Sequence, residues 1–338
     1  MTNFSTQFIV LLMSISDKEI KLVDKMLGGD RSALARLITM VESRHPSILR
    51  ILKEINSKTG SAYTIGITGP PGAGKSTLVN EIVQAFRKKD KKIGVIAVDP
   101  SSPFTGGAVL GDRIRMQNHT LDDKVFIRSL GSRGSHGGLS RATKEIMKLY
   151  DAFGMDYIII ETVGVGQTEL DIIDLADTVL VILVPESGDS VQTMKAGLME
   201  IGDIFIINKS DREGADRLSR EIQFMISLKP KENQWNIPVI QTCANEGKGI
   251  DQVVKEIELH KAFQIDSNLI EEKRTQRRED EFFEILSEIV ERRISESLRK
   301  NELKRILDLV KNGELDSYEA VELVLSKILH INSSSSEH

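Results

Sequence analysis

Gly69-Pro70-Pro71-Gly72-Ala73-Gly74-Lys75-Ser76-Thr77 has the full spacing G-x-x-x-x-G-K-[ST]. Closely spaced glycines let consecutive backbone N–H groups converge on phosphate oxygens, and a helix opening behind them adds positive potential. Lys75 is expected to reach the β- and γ-phosphates of a nucleotide, and the Ser76 hydroxyl to bind Mg²⁺. Asp99, Asp112 and Glu161, at or near the ends of apolar runs, are carboxylates suited to direct or water-mediated Mg²⁺ contacts. Gly164, in Glu161-Thr162-Val163-Gly164, is placed to offer its N–H to the γ-phosphate. The position after that glycine, where a water-orienting glutamine is common, holds Val165; Gln167 follows two residues later. Lys75, Glu161 and Gln167 are therefore the candidate catalytic residues, and slow intrinsic hydrolysis is expected. Arg113, Arg115, Arg133 and Arg141 are candidate charge stabilisers.

A second string selects the base. Asn208-Lys209-Ser210-Asp211 follows the apolar run 204–207 and fits N/T-K-x-D. A carboxylate such as that of Asp211 accepts from both N1–H and the exocyclic amino group of guanine; adenine would leave it unpaired. Lys209 is expected over the ring. In Thr242-Cys243-Ala244-Asn245 a backbone N–H is placed for guanine O6, although the string also suits an ordinary strand-to-helix turn. The implied ligands are GTP or GDP with Mg²⁺.

These residues need elements to hold them. Seven short β-branched runs, at 64–68, 93–98, 125–130, 157–161, 179–184, 204–208 and 239–242, alternate with helical patterns. Continuous apolar runs suit strands buried on both faces, so the expectation is an α/β, doubly wound, mostly parallel sheet of the P-loop NTPase type, with ligands beyond the strands' carboxyl ends. Helical stripes precede it (Ile20, Val23, Leu27; Leu34, Leu37, Ile38, Val41; Ile48, Ile51, Leu52, Ile55) and follow it (Phe282, Phe283, Leu286, Ile289, Val290; Leu303, Ile306, Leu307, Val310; Val321, Val324, Leu325, Ile328). The expected division is a disordered start at 1–16, helices at 17–61, a nucleotide-binding core at 62–264, a helical arm at 265–330 and a disordered tail at 331–338.

Composition narrows the function further. Of 338 residues, 45 are Lys or Arg and 50 are Asp or Glu, a net charge of −5 without a concentrated basic face, which argues against nucleic acid as partner. One cysteine and six scattered histidines argue against a disulfide framework and a protein-borne zinc site. The run Phe8–Met13 is too short to cross a bilayer and lacks a basic leader, so no membrane association and a cytoplasmic setting are expected.

Three longer strings are unusual: Asp99-Pro100-Ser101-Ser102-Pro103-Phe104-Thr105-Gly106-Gly107 running on to Gly111-Asp112-Arg113-Ile114-Arg115-Met116; Arg133-Gly134-Ser135-His136-Gly137-Gly138-Leu139; and Glu161-Thr162-Val163-Gly164-Val165-Gly166-Gln167. Together they resemble the MeaB (ArgK) family of P-loop GTPases, from about Gly29 to about Gly249. The resemblance implies a GTPase chaperone of an adenosylcobalamin-dependent acyl-CoA mutase, above all methylmalonyl-CoA mutase, gating cofactor loading, protection or reactivation. It also implies a homodimer held partly by the C-terminal arm. By the same resemblance, 99–116 and 161–167 are switch segments, and 185–197 is a mutase-sensing loop with Gln192 and Lys195 in the matching places. The chain departs from the family pattern at Gly188-Asp189-Ser190-Val191-Gln192, where Gly-Asp-Glu-Leu-Gln is common, and at Cys243, where Ser is usual. Rival readings are a kinase of the arginine/ornithine transport type, a nickel or zinc metallochaperone GTPase, and a nucleotide-binding scaffold without turnover.

Overall fold

The computed structural model describes residues 16–100, 122–132, 141–162, 171–185, 197–228, 235–298 and 301–333. Its centre is a seven-stranded sheet of β1 (Tyr63–Thr68), β2 (Ile93–Pro100), β3 (Val125–Ser132), β4 (Tyr157–Thr162), β5 (Thr178–Leu183), β6 (Ile204–Ile207) and β7 (Val239–Gln241). The order is β3-β2-β4-β1-β5-β6-β7, and every pairing is parallel. β1, β4 and β5 are buried along their whole length, as the unbroken apolar runs require.

Two apolar layers cover the sheet. On one face lie α4 (Lys75–Lys88) and α7 (Ile250–Asp266), whose Leu78, Val79, Ile82, Val253 and Ile257 pack on Ile65, Ile67 and Ile159. On the other lie α1 (Asp17–Leu27), α2 (Arg31–Glu42), α3 (Ile48–Ile55) and α5 (Arg141–Ala152), through Leu34, Leu37, Ile38, Ile51 and Leu149. Full burial of each such side chain contributes about 1.5–3 kcal/mol. α6 (Ala215–Ser227) packs near β6 and β7. The strand glycines mark close approach: a Cβ on Gly66 would lie 2.6 Å from the Ile172 side chain, and one on Gly94 2.3 Å from the Tyr150 ring.

Local signals set the N-terminal helices. Ser16 and Glu19 form a reciprocal capping box on α1, and Asp30 caps α2 through the N–H groups of Ser32 and Ala33 at 2.8 and 3.1 Å. Side chains then fix these helices to the edge of the sheet. Arg128 on β3 grips Glu42 with Nε at 2.8 Å and a second nitrogen, and Arg44 reaches the buried Glu145 at 3.1 Å.

The chain divides into two compact units, one ending at Ile270 and one beginning at Glu271. The helices at 17–55 thus share a unit with the sheet. The second unit contains most of α8 (Leu269–Leu298), with α9 (Asn301–Lys311) and α10 (Ser317–Ser333). It has its own small core of Leu303, Ile306, Ala320 and Val324. Asp316 caps α10 by accepting from the N–H groups of Tyr318 and Glu319 at 2.7 and 3.2 Å. The stripe Phe282, Phe283, Leu286 and Val290 on α8 is exposed on the single chain.

Candidate functional site: a phosphate loop joined to a base-reading motif

The carboxyl end of β1 runs directly into the phosphate loop. Gly69 and Gly74 have φ of 141° and 87°, in the left-handed region. Space forbids a side chain at both: a Cβ on Gly69 would lie 2.1 Å from the carbonyl oxygen of Ile182, and one on Gly74 2.4 Å from Asn208 Nδ2. Pro70, Pro71, Gly72 and Ala73 complete the turn, closed by the Ala73 N–H on Pro70 O at 3.2 Å. Lys75 opens α4, and Thr77 lies two residues along it. The Lys75 ammonium is buried and donates to the carbonyl oxygens of Gly69 at 2.7 Å and Pro70 at 3.1 Å. The loop's own carbonyls thus hold the charge at the place expected of it.

Beside it, Ser76 Oγ donates to Glu161 Oε1 at 2.6 Å, and both residues are buried. Glu161, the penultimate residue of β4, lies next to Ile67 of β1 and Ala97 of β2. Asp99 lies two residues beyond Ala97 on β2, at the same end of the sheet. A hydroxyl and a carboxylate in contact form an oxygen donor set, the kind a hard divalent cation takes. No group of three or more His, Cys, Asp or Glu able to hold a metal occurs among the described residues.

Asn208 joins the two motifs. Its Nδ2 donates to Ala73 O at 2.8 Å; its Oδ1 accepts from Thr242 Oγ1 and from the Ala244 N–H, both at 3.1 Å. The Ala244 N–H, a candidate donor to guanine O6, is here turned to Asn208. Lys209 has φ of 58°, unusual for a residue with a Cβ and common where a site over-determines its backbone. The Ser210 N–H is fixed by Thr242 O at 3.0 Å. Asp211 is exposed, and Cys243 Sγ donates to its Oδ1 at 3.4 Å. Burial and the Asp211 carboxylate both push the Cys243 thiol up from its ordinary range. Asn245 follows in a short 3₁₀ turn, closed by the paired backbone of Cys243 and Lys248.

The structure therefore brings together Gly69–Thr77, Glu161, Asn208–Asp211 and Cys243–Asn245 at one end of the sheet. Asp112, Gly164, Gln167, Gln192 and Lys195, with Arg113, Arg115 and Arg133, lie outside the described residues, as does the Asp99 side chain. Arg141 is described: its Nε donates to Glu145 Oε1 at 2.7 Å, on the same carboxylate that binds Arg44. Sequence reasoning did not single out Thr242 as the hydroxyl that orients Asn208, nor the buried hydroxyls of Thr68 and Thr162 behind the phosphate loop. A polar β-branched residue inside an otherwise apolar run was the available signal.

Residues 34–299 match the family model described as methylmalonyl Co-A mutase-associated GTPase MeaB. The chain belongs to the MeaB family. Among its relatives, a Pyrococcus abyssi protein named for an inferred GTPase activity is 48% identical over 312 residues, covering 91% of this chain and 96% of its own. GTPase ArgK of Escherichia coli is 37% identical over 239 residues, covering 68% of this chain and 72% of its own. The mouse protein named methylmalonic aciduria type A homolog, mitochondrial, is 35% identical over 261 residues, covering 71% of this chain and 63% of its own. A crystal structure described as LAO/AO transport system kinase superposes with a TM-score of 0.66 at 26% identity, covering 94% of this chain and 99% of that one. This MeaB-family chain is accordingly a guanine-nucleotide-binding GTP hydrolase on a P-loop fold. No helix among the described residues is long and apolar enough to cross a membrane.

Proposed function

We propose that the chain is a GTP-driven chaperone of an adenosylcobalamin-dependent acyl-CoA mutase, with methylmalonyl-CoA mutase as the first candidate. The observation that carries this is the match of residues 34–299 to a mutase-associated GTPase family. The name of the mouse relative, which refers to methylmalonic aciduria, agrees with it. The proposed setting is the cytoplasm, in company with the mutase.

In this reading the phosphate-loop N–H groups receive the phosphates, and Lys75 exchanges its contacts with Gly69 and Pro70 for β- and γ-phosphate oxygens. Asp211 reads N1–H and the amino group of guanine; Lys209 covers the ring; Cys243, Ala244 and Asn245 close the base side. Ser76 and Glu161 fit Mg²⁺ and would hold it, with Asp99 and Asp112 as further carboxylates. When bound, Mg²⁺ supplies charge neutralisation at the phosphates. Glu161 accepts the hydrogen bond of the Ser76 hydroxyl, which fixes the two oxygen donors side by side. Gly164 and Gln167 serve as γ-phosphate contact and water-orienting candidate, and Gln192 and Lys195 as contacts to the mutase. The exposed stripe Phe282, Phe283, Leu286 and Val290 is then the face that a second copy covers in a homodimer.

Complex formation tests the assignment. Co-elution with a cobalamin-dependent acyl-CoA mutase, altered between GDP and a non-hydrolysable GTP analogue, is the expected result. Failure to bind any such mutase in either state would remove the chaperone role and leave the GTPase.

A further inference from the structure

The hydrogen-bonded ladder between β1 and β4 ends at Ile67 opposite Glu161. One residue further on, the side chains take over. Thr162 Oγ1 lies 3.2 Å from Thr68 Oγ1 and 3.4 Å from Ile67 O, so its hydroxyl hydrogen is directed at the β1 side. Both threonines are buried, at 1% and 0% exposure. Alternation along the strands places this pair on the face opposite Glu161: Ile67 and Glu161 point to the α4 layer, Thr68 and Thr162 to the other. The same two strands are thus gripped from both sides, by Ser76–Glu161 in front and Thr68–Thr162 behind.

Valine has nearly the same shape as threonine and would cost nothing to bury, so hydroxyls in this place have a consequence beyond packing. The front contact is made by the two residues that would hold a cation, so it would be open to change on binding. The rear contact is made between protein atoms alone. On the β2 side the β4 ladder pairs Thr162 with Val98, and on the β1 side the Thr162 hydroxyl adds a side-chain tie one residue beyond the Ile67–Glu161 pair. We infer that Thr162 is a positioning residue for GTP hydrolysis: its hydroxyl, held on β1 by Thr68 and Ile67, fixes the Glu161 carboxylate against Ser76. The inference rests on the GTPase reading of this site and adds a residue that touches neither nucleotide nor cation.

The test uses the full chain and the variants Thr162→Val, Thr162→Ser and Thr68→Val, with fluorescent GDP binding titrated with and without Mg²⁺, and steady-state GTP turnover. The phosphate loop and guanine side are untouched by Thr162→Val, so GDP affinity without Mg²⁺ is expected to stay within about twofold of wild type. The gain in affinity on adding Mg²⁺, and kcat, should each fall about fivefold, the value of one net hydrogen bond. KM should change little. Thr162→Ser should restore both, and Thr68→Val should reproduce the loss in part, which keeps the test open if Thr162→Val fails to fold. Wild-type behaviour of Thr162→Val, or an equal loss with and without Mg²⁺, would overturn the inference. A wild-type chain that bound no GDP would remove the GTPase reading and this inference with it, a signature separate from either.

Discussion

Asn208 Nδ2 donates to the carbonyl oxygen of Ala73 at 2.8 Å, across 135 residues of sequence. The base-reading motif and the phosphate loop are therefore one hydrogen-bonded body, and Asn208 spends its other side-chain atom on Thr242 and Ala244. Asn208→Ala leaves three buried partners on two segments without their contact. GDP and GTP affinities should fall together, on the order of tenfold to a hundredfold. Isothermal titration with both nucleotides checks this; a loss confined to GTP would contradict it.

On the proposed reading, base selection rests on Asp211. An asparagine there offers a donor where guanine also has donors, and the mismatch is costly. Asp211→Asn should weaken GTP binding by about a hundredfold or more while improving xanthosine triphosphate, whose C2 carbonyl accepts from the new amide. Competition between the two nucleotides against a fluorescent analogue reads both changes.

Cys243 gives a pH-dependent probe of the same corner. Its thiol is pushed up by burial and by the Asp211 carboxylate, and only the thiolate reacts. Modification by a disulfide reagent should be slow at neutral pH and should accelerate as pH rises through and beyond the ordinary thiol range. Removing the neighbouring charge lowers the thiol's pKa, so Asp211→Asn should react faster at a given pH. Bound GDP should slow the reaction at every pH, because it covers the base side of the site.

The exposed α8 stripe predicts association. Phe282, Phe283, Leu286 and Val290 recur at helical spacing, and the small core of the second unit does not include them. Phe283→Glu with Leu286→Glu should shift the species seen by light scattering from dimer toward monomer and leave GDP affinity unchanged within about twofold, since both positions lie outside the nucleotide-binding unit.

Most of the sheet was legible because its strands are unbroken β-branched runs between helical patterns, from 64–68 to 239–242. The phosphate loop was legible for a different reason: its glycines, Lys75 and Ser76 are all local in sequence. Long-range pairing was not. No spacing rule indicates that Asn208 would bond Ala73 or that Ser76 would bond Glu161. Those contacts depend on strand order, which places β4 beside β1 despite two intervening strands in sequence. Likewise, the stripe on α8 reads as a core face by periodicity, and only burial distinguishes it from one that its own chain leaves uncovered.

On the proposed function, a cobalamin-dependent acyl-CoA mutase governs this GTPase. The most direct measurement is the GTP turnover number of the purified chain, alone and with increasing methylmalonyl-CoA mutase. The chain alone should turn over slowly, because Val165 stands where a water-orienting glutamine is common. Adding the mutase should raise kcat several-fold and saturably, with no rise for Lys75→Ala. Rapid turnover without the mutase, or a rate that stays flat across the titration, would contradict the account.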